Sequence, residues 1–294
     1  MRTVDDSRAP ARLSELLRAA TATLAAAGVP TPDVDAELLA AHVLGLSRGA
    51  LAAASLRGDD ASSEARERLE ELVARRAARQ PLQHLTGRAP FRHLELRVGP
   101  GVFVPRPETE MVAQLAIDAL RAAAAPEPIA VDLGTGSGAI ALAMATEVPH
   151  ARVFAAENSV DAFIWAKENF ADHAPHARLA FIDLADAFPD LDGTVSVLAS
   201  NPPYVPDDAI PRDPEVRLWD PPAALYGGAD GLDVVRVLST VGRRLLHPGG
   251  TLVIEHGEWQ GAPIRDLLTA DGWRAAATHP DLTTRDRATT ALRA

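Results

Sequence analysis

Residues 129–138 read IAVDLGTGSG. Five mostly apolar residues, Ile129 to Leu133, have the composition of a strand buried on both faces. Gly134-Thr135-Gly136-Ser137-Gly138 follows at once, and AIALAMATE at 139–147 continues as an apolar helix. A strand that breaks into a glycine loop and then a helix is the first unit of an open α/β sheet, which takes its ligands at the carboxyl ends of its strands. The glycines permit positive φ and a close approach of backbone to ligand. The spacing is GxGxG, one residue shorter than the dinucleotide pattern GxGxxG. The next strand, RVFAA at 152–156, runs into Glu157, 19 residues after Gly138. An acid at that strand end can accept hydrogen bonds from both hydroxyls of a ribose. Loop and acid together predict a site for an adenosine-containing cofactor, and NAD and S-adenosylmethionine both fit it.

The alternation continues downstream. RLAFI at 178–182 and VSVLAS at 195–200 read as strands, with a helix through Phe163, Ile164 and Ala166 before them. GLDVVRVLSTVGRRLL is a helix stopped by HPGG, and TLVIE is a strand. A helix near 261–270 and two edge strands near 273–278 and 287–293 complete the pattern. Such an order predicts a mostly parallel sheet covered by helices on both faces, with antiparallel character at the C-terminal end. Asp183 and Asp186 both follow the third strand, and either could meet an adenine amino group. Asp186, within LADAF, is the preferred one.

Upstream of this domain the first 85 residues read as helices. Leu13, Leu16, Leu17, Ala20 and Leu24 recur at helical spacing before Gly28. Thr31-Pro32 is a start signal, and Val34, Leu38, Leu39 and Val43 form a stripe ending at Gly45. His42 on that stripe reads as a packed structural histidine. Ser63 reads as the cap of a third long helix through Leu69, Leu72 and Val73. Residues 86–105 alternate apolar and polar around Gly99-Pro100-Gly101, which predicts a hairpin turning there. Pro105 and Pro107 then precede an amphipathic helix, ETEMVAQLAIDAL. The expected organisation is a helical domain over 1–85, a β-hairpin linker over 86–105 and an α/β domain over 106–294.

Composition narrows the function classes. The chain has 294 residues, 47% hydrophobic and 23% charged, enough apolar mass for a sizeable core. With no cysteine, neither a disulfide nor a thiolate nucleophile is available, and no cluster has metal-ligand spacing. No apolar run reaches the ~18 residues a membrane span needs. The opening MRTVDDSRAP has no apolar core of a leader, so the expected location is cytoplasmic. Net charge is −11, and all but one unit of it falls in residues 86–294. A nucleic-acid binder instead shows a basic face. The expectation is a monomer without membrane or stable nucleic-acid partners.

The strand VSVLAS runs into Asn201-Pro202-Pro203-Tyr204. Two consecutive prolines fix φ and remove two N–H donors, so the loop is stiff and its carbonyls are free to face a ligand. The Asn side-chain oxygen and the Pro202 carbonyl can each accept one N–H of a planar –NH₂ group. The Tyr204 ring can pack on its plane. Planar amines and amides are poor nucleophiles, and such a clamp holds the nitrogen toward an electrophilic methyl.

DLGTGSG, the acid ending the second strand and NPPY together resemble the S-adenosylmethionine-dependent N-methyltransferases. VPRPETE at 104–110, SNPPYVP at 200–206, DPPAALYGGADGLD at 220–233, EHGEWQG at 255–261 and DLTTRDR at 281–287 are similar to the PrmC/HemK family. So is QPLQHLTGRAPF in the helical segment, and the resemblance spans nearly the whole chain. It implies a Rossmann-like methyltransferase domain that methylates the N5 amide of a glutamine, in the GGQ loop of class 1 peptide chain release factors. The helical domain would recognise the release factor. By position, Gly134, Thr135, Gly136, Ser137, Gly138, Glu157, Asp186, Ala187 and Asn201 would bind cofactor. Asn201, Pro202, Pro203 and Tyr204 would hold the glutamine, with Asn201, Pro202 and Tyr204 as the catalytic groups. Ala187 stands where the family often carries an aromatic, so Phe188 could supply the adenine packing, and Thr284 replaces a frequent glycine. The competing readings are a methyltransferase of ribosomal-protein glutamine or of a nucleic-acid base, and a non-catalytic protein that docks to translation factors. PRPETE favours the release-factor type over the ribosomal one, the acidic balance weighs against nucleic acid, and an intact NPPY weighs against a scaffold.

Overall fold

The amphipathic stripes of the N-terminal segment become helices in a computed structural model, which describes residues 11–294. The leader-free reading of MRTVDDSRAP lies outside the described residues. The chain order begins β1 (Ala11–Arg12), α1 (Leu13–Ala26), α2 (Pro32–Leu44), α3 (Arg48–Arg57), β2 (Asp60–Ala61), α4 (Ser63–Ala77) and α5 (Leu82–Thr86). Leu24, Leu39, Leu51 and Leu72 are fully buried at the centre of these helices. Pro32 opens α2 behind Thr31, and Gly45 ends it in the left-handed region at φ +64°. Three local readings change. α3 is an additional helix; the Ser47 side chain accepts the Ala50 N–H at 3.2 Å, and Gly58 closes the helix at φ +78°. The cap of α4 is Ser62, not Ser63, accepting the Ala65 N–H at 3.2 Å. His42 is exposed in the last turn of α2, where a basic group suits the negative end of the helix dipole.

One segment from far along the chain joins this unit. Residues through Gly87 group with Asp213–Trp219, although the sequence places the latter inside the α/β domain. The physical reason is an ion cluster. Buried Arg76 donates to Asp35 at 2.7 Å and to Glu215 at 2.7 Å, and Arg79 donates to Glu215 at 2.6 Å. Burial raises the Glu215 pKa, but hydrogen bonds with Asp213, Arg79 and Arg76 outweigh it and hold the carboxyl well below its usual range.

The second unit begins with a hairpin, β3 (Arg88–Phe91) and β4 (Leu94–Arg97). Phe91 pairs with Leu94, so the turn is the two residues Arg92-His93, and Gly99-Pro100-Gly101 follows the hairpin rather than closing it. Arg92 takes φ +54°, held by its own contacts. Its N–H donates to Glu110 at 2.9 Å, and its guanidinium reaches Gln114 at 2.7 Å and Glu147 at 2.8 Å.

Then come α6 (Thr109–Ala122), β5 (Ile129–Leu133), α7 (Ala139–Glu147), β6 (Arg152–Glu157), α8 (Val160–His173), β7 (Arg178–Phe181) and β8 (Val195–Ser200). After α9 (Pro214–Trp219), which belongs to the helical unit, follow α10 (Asp233–Leu245), β9 (Leu246–Glu255), α11 (Gly261–Ala270), β10 (Arg274–Pro280) and β11 (Asp286–Leu292). The strands form one sheet in the order β10-β11-β9-β8-β5-β6-β7. β7, β6, β5, β8 and β9 are parallel; β11 pairs antiparallel with β9, and β10 pairs antiparallel with β11, so β11 is the strand of reversed direction. HPGG does not stop α10 as a separate turn. It enters β9, where Gly249 at φ +82° accompanies a register shift against β8. Ile117, Leu120, Leu142 and Met144 build one buried cluster against the sheet. Leu238, Leu245, Ile264 and Trp273 build a second. Thr284 occupies φ +65°, which explains why a glycine suits its place. No single described helix is long and apolar enough to cross a membrane.

Candidate active site

β5 pairs with β6 on one side and β8 on the other, so the strand order reverses at β5. The loops leaving β5 and β8 therefore emerge side by side, the position where open α/β sheets bind ligands. Ser200 at the end of β8 donates its hydroxyl to the Leu133 carbonyl at 2.6 Å and ties the two strand ends together.

The three glycines of the first loop do different things. Gly134 and Gly136 sit at φ +71° and +59°, and a Cβ on either would meet nothing within 4 Å. Gly138, at φ +92°, lies where a Cβ would come within 2.9 Å of Phe170. The first two keep one side of the loop open; the third lets α7 start against α8. Thr135 and Ser137 are buried within the turn. The Ser137 carbonyl accepts from Asn169 at 2.9 Å.

Two buried acids organise this loop. Asp132 accepts the Thr135 hydroxyl at 2.6 Å and the Ala141 N–H at 3.1 Å. Burial pushes its carboxyl up to about 7, against the pull of those two donors, and Glu157 adds to the rise. A carboxyl whose pKa is higher folded than unfolded binds its proton in the native state across the interval between the two values. Stability then falls as pH rises through about 4 to 7. Asp132→Asn should remove this component. Denaturant titrations across that window are expected to show a shallower decline, by up to about 1.4 kcal/mol per pH unit. Parallel slopes for the two proteins would contradict the assignment.

Glu157, at the end of β6, is the second. It is 6% exposed and accepts three backbone N–H groups: Gly136 at 2.8 Å, Ser159 at 2.8 Å and Asn158 at 3.0 Å. Burial raises its pKa and those three donors lower it, leaving it above the ordinary value. The structure thus brings the predicted acid directly onto the glycine loop.

The segment after β7 departs from expectation. Asp183 caps a short turn through the Ala185 N–H at 2.9 Å and accepts from Asn158 at 2.9 Å. Asp186 is exposed. Ala187 is fully buried, its N–H bonded to Leu184 and its carbonyl to Arg244 at 2.7 Å. Phe188, expected as an adenine platform, is 3% exposed and packs edge-on to Phe154, 5.5 Å between ring centres. It is a core residue. The exposed aromatic here is Phe181, edge-on to Phe163 at 5.2 Å.

Asn201-Pro202-Pro203-Tyr204 leaves β8 with Pro202 buried and the other three partly buried. The Asn201 side-chain nitrogen donates to the Thr109 hydroxyl oxygen at 3.4 Å, and the Tyr204 hydroxyl donates to Glu255 at 3.5 Å. The loop backbone is held by the 220–233 segment. The Val205 N–H donates to Leu225 at 2.8 Å, the Gly227 N–H to Val205 at 2.9 Å, and the Gln260 amide to the Tyr204 carbonyl at 2.9 Å. A Cβ on Gly227 would stand 2.4 Å from the Pro203 carbonyl oxygen, and one on Gly231 2.2 Å from that of Tyr204. Both glycines exist to let that segment press on the NPPY backbone. Gly227→Ala should therefore cost about 1–2 kcal/mol as overpacking. A melting temperature unchanged from wild type would show that the contact relaxes freely.

Sequence reasoning did not reach Thr109, Glu255 and Arg287 as neighbours of this loop, although each lies in a stretch singled out for resemblance. Among the described residues no group of His, Asp or Glu is placed to hold a metal ion.

Known proteins match this arrangement over almost its full length. A family model described as the PrmC N-terminal domain matches residues 15–87, and one described as the methyltransferase small domain matches 93–217. The release factor glutamine methyltransferase of Streptomyces coelicolor is 52% identical over 277 residues, covering 94% of this chain and 96% of that protein. The protein of that name from Mycolicibacterium smegmatis is 46% identical over 284 residues, covering 96% and 98%. Among solved structures, the T. thermophilus 16S rRNA N2 G1207 methyltransferase in complex with AdoMet and guanosine superposes with TM-score 0.52 at 19% identity, over 70% of this chain and 50% of that one. That likeness is one of fold.

Proposed function

The chain belongs to the release factor glutamine methyltransferase family, and from that premise we propose that it transfers a methyl group from S-adenosylmethionine to the N5 amide nitrogen of the glutamine in the GGQ motif of class 1 release factors. The observation that carries this reading is the adjacency of NPPY at the end of β8 to the GTGSG loop at the end of β5. An amide clamp and a nucleotide-type loop leave neighbouring strands of one sheet.

The residues fit the cofactor. Gly134 and Gly136 present backbone with no side chain on their open side, where a Cβ would only fill space a ligand can use. Glu157 lies beside Gly136 and has acceptor capacity beyond its three N–H bonds for ribose hydroxyls. Gly134, Thr135, Gly136, Ser137, Gly138, Glu157 and Asn201 would hold the cofactor, with the exposed Asp186 toward the adenine. S-adenosylmethionine supplies an electrophilic methyl carbon.

The chain's own groups prepare the nucleophile. The Asn201 side-chain oxygen and the Pro202 carbonyl accept the two N–H bonds of the glutamine amide, and the Tyr204 ring packs on its plane. These acceptors fix the nitrogen's direction and stabilise the positive charge that grows on it as its lone pair is drawn out of conjugation. The methylated amide cation is acidic enough to lose its proton to water, so no dedicated side-chain base is needed. The helical unit recognises the release factor as a protein surface. Mass spectrometry of a purified class 1 release factor, incubated with the enzyme and isotope-labelled cofactor, should find one methyl on the GGQ peptide. A release factor with that glutamine changed to alanine should remain unlabelled; equal labelling of the two would overturn the reading.

A further inference from the structure

Two short turns stand at the same edge of the sheet as the NPPY loop. β8 and β9 run parallel and pair as far as Ser200 with Ile254, so the chain leaves both strands at one end. It enters NPPY from β8 and His256-Gly257-Glu258-Trp259-Gln260 from β9. β11 runs back beside β9 with Ala288 opposite Glu255, so the 281–285 connection between β10 and β11 lies at that end too. In the first turn the Gln260 N–H donates to the Gly257 carbonyl at 3.0 Å, and the Gly257 N–H donates to the Gln260 side-chain oxygen at 2.9 Å. The nitrogen of that side chain donates to the Tyr204 carbonyl at 2.9 Å. The turn is thereby pinned to NPPY, with Glu258 and Trp259 as its two central residues. In the second turn the Thr284 N–H donates to the Asp281 carbonyl at 2.9 Å. The Asp281 carboxylate accepts the Thr283 N–H at 2.8 Å and its hydroxyl at 2.6 Å. Leu282 and Thr283 are its central residues. Glu258 and Arg285 form an ion pair at 3.7 Å between the two turns.

Each turn presents a large apolar side chain to solvent. Trp259 is 83% exposed, and Leu282 is fully exposed. The other three tryptophans, Trp165, Trp219 and Trp273, are buried or partly buried. Exposed apolar residues scattered singly are ordinary. These two stand on hydrogen-bonded turns joined by an ion pair, and one turn is bonded to Tyr204. A side chain held on a rigid turn loses little freedom when a partner covers it. Tryptophan is also among the residues that carry most of the binding energy in protein interfaces. Charge separates the classes of partner. Asp207 and Asp208, three and four residues past Tyr204, are exposed, and neither carboxylate has an ion-pair partner among the described residues. Two unpaired acids beside the site repel a phosphate backbone and favour a surface with basic side chains.

Resting on the reading of NPPY given above, we infer that Trp259 and Leu282 form an apolar docking rim for the polypeptide that presents the glutamine, and that Asp207 and Asp208 take basic side chains of the same partner. A glutamine held by NPPY is one residue of a protein, and the chain on either side of it has to cross this edge of the sheet. The loop selects a planar amide; the rim selects the protein that carries it. The rim therefore acts on recognition and not on the chemical step.

The test is steady-state methylation of a purified class 1 release factor over a range of its concentration. Wild type is compared with Trp259→Ala, Trp259→Phe, Leu282→Ser and the double variant Asp207→Asn/Asp208→Asn. Trp259→Ala should raise KM for the release factor by about tenfold or more. Trp259→Phe keeps an aromatic face and should recover most of that loss, and Leu282→Ser should raise KM by less. For all three, kcat at saturation, calorimetric cofactor affinity and melting temperature should stay at their wild-type values. A merely structural Trp259 would instead move melting temperature and cofactor affinity together with KM. The double asparagine variant should raise KM at low salt and flatten its dependence on ionic strength. An unchanged KM in both Trp259→Ala and Leu282→Ser would overturn the inference while leaving the methyltransferase reading intact. So would a wild-type dimer that Trp259→Ala makes monomeric at unchanged KM, which would assign the rim to a second copy of the chain. A wild-type enzyme that leaves the GGQ glutamine unmethylated would overturn that reading, and this inference with it.

Discussion

Asn201→Ala is expected to lower kcat for glutamine methylation by about 10²-fold or more, the scale of losing one preorganised electrostatic contact. In the mechanism proposed above, the side chain offers the substrate amide an acceptor whose hydrogen bond strengthens as positive charge develops on the nitrogen. An interaction made mainly in the transition state appears in turnover rather than in affinity. Pro202 and Pro203 still stiffen the loop, and the bonds from Val205, Gly227 and Gln260 still hold its backbone. Release-factor affinity should therefore change little, and the melting temperature should shift by no more than a surface-type substitution does. Single-turnover transfer to a release factor with its GGQ glutamine intact is the measurement. A near-normal rate would show that Asn201 does not hold the reacting amide. Tyr204→Ala should also slow transfer, and Tyr204→Phe should be milder because the ring remains; its residual loss reports the bond to Glu255.

Glu157→Ala should weaken cofactor binding by about 1.5–3 kcal/mol, the usual scale for hydrogen bonds to a charged group. That corresponds to about 10- to 100-fold in Kd. Two losses combine. Any bonds from the ribose disappear, and the N–H groups of Gly136, Ser159 and Asn158 lose the acceptor they share. Gly136 lies at φ +59°, so the loop also loses the contact that holds its left-handed turn. Glu157→Asp should cost less, since the shorter carboxylate keeps its charge at the same strand end. Calorimetry with S-adenosylmethionine distinguishes the outcomes, and an alanine variant with wild-type affinity would reduce Glu157 to a structural acid.

The local grammar of the chain is legible in short stretches of residues. IAVDL followed by GTGSG, Glu157 at the next strand end and NPPY after VSVLAS all sit where their local signals place them, because each is encoded within a few consecutive residues. Periodicity marks the strand, glycine permits the turn, and proline stiffens the loop. The resemblance carried by PRPETE, NPPY and EHG is likewise a property of short segments. Short-range signals also mislead in places. The hairpin turns at Arg92-His93 because Glu110, Gln114 and Glu147 hold Arg92 there, and those partners lie 18 to 55 residues away. HPGG reads as a stop, yet sheet pairing draws it into β9.

What the sequence determined by itself was therefore the alternation of strands and helices in the α/β unit and the residue make-up of the GTGSG and NPPY loops. Tertiary structure alone decided which of the singled-out residues meet. It buried Ala187 and Phe188 in the core, left Asp186 exposed, and drew Glu215 into the helical unit through Arg76 and Arg79. It also gathered Thr109, Tyr204, Glu255 and Arg287 behind Asn201. The physical reason is one of range. Backbone preference and hydrophobic period act over a few residues and are written in order along the chain. Desolvation, ion pairing and the direction of a side-chain amide depend on partners that only the sheet order brings within reach.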